Sequence, residues 1–400
     1  MAQDVAALVD RVWRSDAAGM LGVLARRLGD LGRAEDALQD ALAEALRAWE
    51  RDGVPDSPAG WLVTTAWRRA LDGLRRDATG RQKLASLAAA PAGEPTDDDR
   101  LALIFGCCHP VLPVSAQVPL TLRAVCGLST AEIAAAYLVP VPAIAQRLVR
   151  ARRALAERGV PFDLPDPDEY PTRLPAVLAV VYLVFNEGYL ASGRTTPQRR
   201  ELAGEALALA RQLTLLMPAE PEVAGLTALL ELHEARAATR FDSWGRIVLL
   251  QDQDRTRWDR ALIGTAVTRL TRAVGYGRPG RYQLEAAIAA QHAQAPAYEQ
   301  TRWADIRALY DQLYALVPSP VVLLSRAVAT RYVHGPEAAL AEVDALGDRL
   351  AGYRLLHATR GELLRACGRD DEARTAAERA LALATNPAER ELLARRLSSA

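Results

Sequence analysis

Several patterns typical of secreted and membrane proteins are missing from this 400-residue sequence. The four cysteines do not have the spacing of a disulfide framework, so a reducing cytoplasm is the expected setting. The longest apolar run, 174–185, is interrupted by Pro175 and is too short to span a bilayer. The first residues do not have the pattern of a signal peptide. These absences argue against a disulfide-stabilised secreted domain and against a membrane-spanning protein.

Motifs of enzyme active sites are missing as well. The sequence has no glycine-rich phosphate loop, nucleophile elbow or zinc motif. Cys107-Cys108-His109 resembles a metal site, but adjacent cysteines do not easily bind one tetrahedral zinc, and no second Cys/His pair lies nearby. Glu187 follows an apolar helix without a His or Lys partner. We therefore expect a non-enzyme without metal or cofactor, in which the Cys pair packs in a core or ends a helix and Asn186 and Glu187 hydrogen-bond a neighbouring helix or loop.

Lysine is nearly absent, and the charge is balanced overall. Lys83 is the only lysine, which indicates genome composition rather than a function, and the formal net charge is zero. A nucleic-acid partner must therefore be sought in local arginine patches. Half of the residues are hydrophobic and 24% are charged, as in globular proteins. Almost every segment shows helical periodicity and none shows sustained strand alternation, so the expected fold class is all-α.

Changes in composition divide the chain into helical blocks and linkers. We predict a first helical block at 1–80, a flexible linker rich in Ala, Pro, Gly and acidic residues at 81–99, and a second block at 100–160. A proline-rich break at 161–172 precedes a helical extension at 173–400. Helices of the first block are predicted at 3–14, 17–29, 33–51 and 58–77.

The end of the extension contains a weak internal repeat. The segments 335–338 (Gly-Pro-Glu-Ala) and 368–373 (Gly-Arg-Asp-Asp-Glu-Ala) each follow one amphipathic helix and open another. This is the helix-turn-helix pattern of tetratricopeptide (TPR) repeats, which stack into concave surfaces that usually bind proteins. The polar segment 251–255, with Trp258, is a candidate lining of such a surface.

Residues 129–153 have the pattern of a helix-turn-helix. Ser129 or Thr130 caps a short helix with Glu132 in its first turn, and Pro140 ends it. In the second helix Ile144, Leu148, Ala151 and Leu155 have the spacing of a buried stripe. Polar residues then lie toward the other side: Gln146, Arg147, Arg150 and Arg153. Such a helix suits a major groove, where guanidinium groups bind phosphates and guanine edges; the alternative is a solvated basic helix in a bundle.

Two helices of the first block carry opposite charges. In 34–49 an apolar side (Leu38, Leu42, Ala45, Leu46, Trp49) is accompanied by an acidic ridge of Asp36, Asp40 and Glu44. The helix at 58–77 combines Trp61 and Trp67 with Arg68, Arg69, Arg75 and Arg76. Tryptophans beside arginines suit unstacked bases and a phosphate track. The alternatives are a solvated acidic face and core tryptophans with exposed arginines.

The order of these motifs resembles the extracytoplasmic-function (ECF) RNA polymerase sigma factors. Residues 1–80 resemble sigma region 2, and residues 100–158 resemble region 4. The resemblance implies that Asp36, Gln39 and Asp40, with Glu44 on the same ridge, bind core RNA polymerase. It implies that the Trp/Arg helix at 58–77 melts and reads the −10 promoter element. It also implies that the helix-turn-helix at 129–153 reads the −35 element. The implied −10 residues are Trp61, Trp67, Arg68, Arg69 and Asp72, with Arg75 and Arg76 following on the same helix.

Five further motifs resemble the subgroup called ECF42-type, which has a TPR-like C-terminal extension. They are 107–110, 182–189, 251–258, 282–290 and 318–322. Ser325 departs from the Asn expected there, which puts any polar contact at that position in doubt. The subgroup generally lacks a membrane anti-sigma factor. Because a covalently attached domain has a high effective local concentration, we expect the extension to regulate activity in cis, with a protein or small-molecule signal as a further partner.

The linker is long enough for this function. Fully extended, 81–99 spans about 65 Å, and two turns of B-DNA cover about 70 Å. We therefore expect two DNA-reading domains on a tether, with the extension packing on them through 185–189. The competing hypothesis is a helix-turn-helix regulator with a TPR-like sensory domain that does not bind core polymerase; the acidic and Trp/Arg helices favour the sigma factor. A repeat scaffold without a DNA role is disfavoured by the arginine face of 146–153.

Overall fold

The structure is a computed structural model that describes residues 2–76, 95–137, 139–189 and 200–398. Over these ranges the chain is helical, and its β pairing consists of an isolated antiparallel bridge between Phe241 and Ile247. The predicted all-α fold class is confirmed. None of the described helices is long and apolar enough to cross a membrane.

The chain forms two compact units, Met1–Val184 and Phe185–Ala400. The division falls inside a single helix, Tyr170–Tyr189, and so lies beyond the predicted break at 161–172. Part of that break packs in the first unit. Phe162 is buried, and its ring lies so close to Gly106 that a Cβ there would be 2.4 Å from it. Arg173 is also buried and donates a hydrogen bond to the carbonyl of Phe105. These contacts bring the predicted break into the core of the first unit.

The first unit contains seven complete helices in the described residues. They are α1 (Ala2–Leu28), α2 (Leu31–Asp52), α3 (Pro58–Arg76), α4 (Asp97–Cys107), α5 (Val114–Ala124), α6 (Thr130–Tyr137) and α7 (Val141–Glu157). A 3₁₀ turn at Pro167–Glu169 precedes α8 (Tyr170–Tyr189). Residues 77–94 lie outside the described residues, and they include 81–94 of the predicted linker at 81–99.

Helix α1 is continuous where the sequence predicted two helices, at 3–14 and 17–29. The predicted break at Ser15-Asp16 is wrong because the Ser15 hydroxyl donates a hydrogen bond to the carbonyl of Arg11, one turn earlier in the same helix. A serine in mid-helix can satisfy its hydroxyl in this way without ending the helix.

Helices α1 and α4 approach each other closely at Gly22. A Cβ placed on Gly22 would lie 2.3 Å from the carbonyl oxygen of Asp99, so only glycine permits this contact. Thr96 is the N-cap of α4. Asp99 is 2% exposed and accepts a hydrogen bond from Thr96 in a reciprocal capping box. Its other carboxylate oxygen lies 2.8 Å from Arg26 on α1. The acidic end of the predicted linker is therefore the start of a packed helix.

The second unit continues as a series of helices, each packed on its neighbours in the sequence. They are α9 (Arg200–Leu216), α10 (Pro221–Glu234), α11 (Arg260–Val274), α12 (Arg281–Gln294), α13 (Trp303–Leu316), α14 (Pro320–His334), α15 (Pro336–Asp344), α16 (Arg354–Ala366), α17 (Asp370–Leu383) and α18 (Pro387–Ser398). Short 3₁₀ turns lie at Ala237–Thr239, Leu250–Asp252, Arg255–Arg257, Tyr298–Gln300 and Asp348–Leu350.

The predicted repeat corresponds to α14–α15 and α16–α17. Gly335 (φ 92°) and Gly368 (φ 74°) stand between the helices of each pair, in a backbone region that favours glycine. The core of this part is shared by both pairs and includes Ala339, Val343 and Leu364. The small-residue pattern of the sequence thus marks two successive helix pairs.

Candidate nucleic-acid interface

One part of the acidic ridge predicted on α2 is exposed, and the other part is ion-paired with α3. Asp36, Gln39 and Asp40 are exposed on α2. Glu44 is half-buried and accepts a hydrogen bond of 2.6 Å from Arg69 on α3. The free acidic surface is therefore the first half of α2. On the opposite side Leu38, Ala45 and Trp49 are buried as predicted, whereas Leu46, predicted to face the core, is 41% exposed.

Helix α3 presents a row of arginines over buried tryptophans. Arg68, Arg69, Arg75 and Arg76 are all exposed. Asp72 is exposed and lies 3.0 Å from Arg75. Among the two tryptophans, Trp67 is 8% exposed and packs inside the helical unit, while Trp61 is half-buried and meets Trp49 edge-on at 5.6 Å. In this arrangement the arginines are accessible to phosphates and the face of Trp67 is covered.

The helix-turn-helix forms as the sequence predicted. The Ser129 hydroxyl accepts a hydrogen bond from the amide of Glu132, and the Glu132 carboxylate accepts one from the amide of Ser129. Pro140 is the N-cap of α7. The buried residues of α7 are the predicted stripe, Ile144, Leu148, Ala151 and Leu155. Their burial turns the polar side of α7 outward.

The polar side of α7 is largely available. Gln146, Arg150 and Arg153 are exposed. Among the residues that the structure describes, Arg150 donates only to the carbonyl of Gln146, and Arg153 lies 2.6 Å from Glu157 on the same helix. Arg147 is half-buried and donates a hydrogen bond to the carbonyl of Ser115. Arg150 is therefore the arginine of this helix best placed to reach a base or phosphate without breaking a contact between helices.

A buried ion-pair cluster connects α2 with the helix-turn-helix part. Glu35 is 7% exposed and lies 3.1 Å from the Nε of Arg123 on α5 and 2.8 Å from Arg152 on α7. Arg123 also donates to the carbonyl of Leu128. Sequence reasoning missed this cluster, because Glu35 precedes the acidic ridge without sharing its face and Arg152 reads as a flank of the basic helix. No local spacing signals a pair of residues that lie so far apart in the chain.

The contacts of Glu35 and Asp99 join the two parts of the chain that were predicted to be domains on a tether. The described parts of 1–80 and 100–160 belong to a single compact unit in this structure. The acidic partner in each contact, Glu35 or Asp99, is buried, so neither contact is an exposed surface ion pair.

The Cys107-Cys108 pair is part of the core, as the sequence analysis favoured. Helix α4 ends at Cys107, and both cysteines are buried. Burial raises the pKa of the Cys108 thiol to about 12, so it is a packed thiol rather than a thiolate. In the ranges that the structure describes, no group of three or more His, Cys, Asp or Glu residues is placed to hold a metal ion.

Comparison with protein families assigns both halves of the first unit. The sigma-70 region 2 family matches residues 14–79, and the sigma-70 region 4 family matches residues 102–155. A family of unknown function, DUF6596, matches residues 173–274. The first match contains the acidic and arginine-bearing helices and the second contains the helix-turn-helix. The first unit thus contains the two domains of a sigma factor, region 2 and region 4.

Individual relatives agree with this class and define a narrower family. The chain belongs to one family with a Rhizobium meliloti protein described only as uncharacterized, to which it is 46% identical over 381 residues, covering 92% of this chain and 90% of that protein. A probable ECF RNA polymerase sigma factor, SigI of Mycobacterium tuberculosis, is 29% identical over 38% of this chain and 56% of its own length. The ECF RNA polymerase sigma factor SigK of Mycobacterium ulcerans is 39% identical over 70 residues, 17% of this chain and 37% of that protein. No solved structure matches the chain.

Proposed function

We propose that the chain directs promoter-specific initiation by docking on core RNA polymerase through the exposed part of α2. The observation that carries this proposal is the surface of Asp36, Gln39 and Asp40, which is exposed within the segment matched by sigma region 2. Because Glu44 is tied to Arg69, we assign it the lesser role of fixing α3 against α2. As a polymerase subunit the protein acts in the cytoplasm, without a catalytic residue, metal or cofactor of its own.

Promoter recognition is assigned to α3 and α7. The exposed arginines of α3 suit the phosphates of the −10 element, and Trp61 is the tryptophan with an accessible edge. Gln146, Arg150 and Arg153 of α7 suit a major groove at the −35 element. For Trp67 to stack on a base, its present packing in the unit has to open.

The contact between the two sigma regions has a consequence for promoter binding. Promoter elements separated by nearly two turns of DNA lie about 70 Å apart, whereas Glu35 of α2 lies within 3 Å of Arg152 on α7. Binding of both elements therefore requires the Glu35 and Asp99 contacts to break. We infer that the packed unit is the resting form and that polymerase and promoter together stabilise an opened form.

The C-terminal extension is proposed to regulate this opening in cis. We assign the extension to the TPR-like folds, because successive helix pairs pack side by side with Gly335 and Gly368 between their helices. The five sequence motifs described above support assignment of the chain to the ECF42-type subgroup. A covalently attached domain acts at high effective concentration without tight intrinsic contacts. A signal bound by the extension would then change the balance between the two forms.

Polymerase docking is tested by charge reversal. The variant Asp36→Arg/Asp40→Arg should lose co-purification with core polymerase while keeping its fold, because exposed reversals away from buried contacts change stability little. The matched control is Asp163→Arg/Asp166→Arg, which reverses two exposed aspartates of the same unit outside α2.

The outcome separates the two functional hypotheses. Loss of core binding in the α2 variant alone supports the sigma factor mechanism. Wild-type core binding by the folded α2 variant, or equal loss in both variants, would contradict docking through this face.

A further inference from the structure

The second unit contains an open cavity of about 380 Å³ that neither sigma region requires. Its walls come from the end of α12, from α13 and α14, and from α16 and α18, with residues 249–251 along one side. The volume is in the range of sites for small molecules, which are typically 300–1,000 Å³. The polar segment singled out in the sequence, 251–255, therefore begins at a cavity.

One wall of the cavity is aromatic and already assembled. Trp303 and Tyr332 stack with ring centroids 4.0 Å apart and an interplanar angle of 10°. Tyr298 meets both rings edge-on, and its hydroxyl lies 2.9 Å from that of Tyr332. His292 packs edge-on against Trp303. Because these groups hold one another in place, a flat apolar ligand would find a wall that needs little reorganisation.

The charges around the cavity favour an anion. Arg331 lines it and makes no ion pair with any residue in the described ranges; its guanidinium lies 5.7 Å from the Tyr332 ring. Arg396 also lines it and is paired with Glu362 at 3.2 Å. Glu362 accepts a second hydrogen bond from Arg365 and is therefore already neutralised. The unpaired guanidinium of Arg331 leaves the wall with a net positive charge.

A buried polar atom at the same wall lacks a partner. The Nδ1 atom of His292 is inaccessible to solvent and has no hydrogen-bond partner among the described residues. Such atoms are rare in folded proteins and usually mark a place where a water or another group completes the hydrogen bonding. Burial, together with Arg236 and Arg255, lowers the pKa of His292 to about 4, so its imidazole is neutral at pH 7. A neutral imidazole beside an aromatic wall is compatible with a ligand that has both an apolar ring and a polar end.

We propose that this cavity binds a small planar aromatic carboxylate. The ring system lies against the wall of Trp303, Tyr298 and Tyr332, and the carboxylate pairs with Arg331, whose planar guanidinium can bind both oxygens. Binding in itself is independent of the sigma factor mechanism. Only its consequence, a ligand signal passed to the sigma regions, rests on the proposed function.

Calorimetric titration of the full chain tests this proposal with three probes. Indole-3-carboxylate has the ring and the charge, indole has only the ring, and cyclohexanecarboxylate has only the charge. We expect indole-3-carboxylate to bind about tenfold or more tightly than either partial probe, since each lacks one of the two contacts. Equal affinities for indole and indole-3-carboxylate, or no binding of indole-3-carboxylate at millimolar concentration, would overturn the proposal.

Two variants locate the binding. Arg331→Gln should weaken indole-3-carboxylate about tenfold or more and leave indole unchanged. The matched control, Arg349→Gln, removes an exposed arginine of the same unit that lies outside the cavity and should bind like the wild type. Thermal unfolding of both variants checks the fold. An unchanged affinity in Arg331→Gln, or binding of a tripeptide such as Gly-Gly-Phe in place of indole-3-carboxylate, would refute the assignment. Core polymerase binding measured on the same samples shows separately whether the sigma function is intact.

Discussion

Replacing Glu35 by glutamine should destabilise the packed form of the sigma regions. The Glu35 side chain is 9% exposed; it accepts a hydrogen bond from Arg123 and forms an ion pair with Arg152, whose side chains are 23% and 25% exposed. Glutamine has a similar shape but loses the charge, and its amide nitrogen faces a second donor. Removing one partner of a buried ion pair costs about 3–5 kcal/mol. Since both arginines retain some contact with water, we expect a cost below that range, about 2–3 kcal/mol.

Hydrogen exchange of the full chain, followed by mass spectrometry, measures this effect locally. Exchange should accelerate in α2, α5 and α7 of Glu35→Gln and remain unchanged in the second unit. The control Glu157→Gln breaks an exposed ion pair on α7, with partners 59% and 77% exposed, and should change stability by less than about 0.5 kcal/mol.

A second measurement separates opening from general damage. If the packed unit is the resting form, Glu35→Gln should bind core polymerase and promoter at least as well as the wild type despite its lower stability, because less free energy is needed to open it. Unchanged exchange in α2, α5 and α7, or lost stability together with lost promoter binding, would refute this reasoning.

Three further predictions concern recognition, acid stability and the extension. Arg150→Ala should weaken promoter binding by about 1–3 kcal/mol if the side chain reads a base, and should instead reduce the salt dependence if it binds only phosphate; no change in either would remove α7 from the DNA. The pKa of His292 is about 4 in the folded chain against an ordinary 6.5, so the unfolded chain takes up the proton first and stability should fall as the pH drops from 6.5 to 4. In thermal unfolding His292→Gln should show a weaker acid dependence than the wild type; an unchanged dependence would refute the assignment. A chain ending at Val184 should still bind core polymerase but transcribe at a changed rate, and unchanged transcription under every condition would contradict regulation by the extension.

The elements that could be predicted are those with a complete local signal. Helices α2, α3 and α7 carry their own amphipathic pattern, and the cap of α6 is formed by residues three apart. The exposed positions of both proposed interfaces follow from the same patterns. The predicted break at Ser15 was wrong because the Ser15 hydroxyl finds its hydrogen-bond partner, the carbonyl of Arg11, within the helix.

Features that depend on distant residues could not be predicted. The cluster around Glu35 joins three helices, and periodicity does not indicate which partner a buried charge will find. The close approach at Gly22 likewise depends on a helix that begins beyond the predicted linker. Any polar contact of Ser325 was in doubt from the sequence, and the structure places Ser325 in the wall of the same cavity as Tyr310, a residue of the preceding helix. In each case tertiary packing, which the local sequence does not encode, decides the role of the side chain.

We propose that this chain gives RNA polymerase its choice of promoter. The most direct test combines purified full chain with core polymerase on genomic DNA and maps the 5′ ends of the transcripts. We predict a discrete set of start sites that share two sequence elements nearly two helical turns apart and that disappear with Asp36→Arg/Asp40→Arg. Initiation no more specific than that of core polymerase alone would contradict the account.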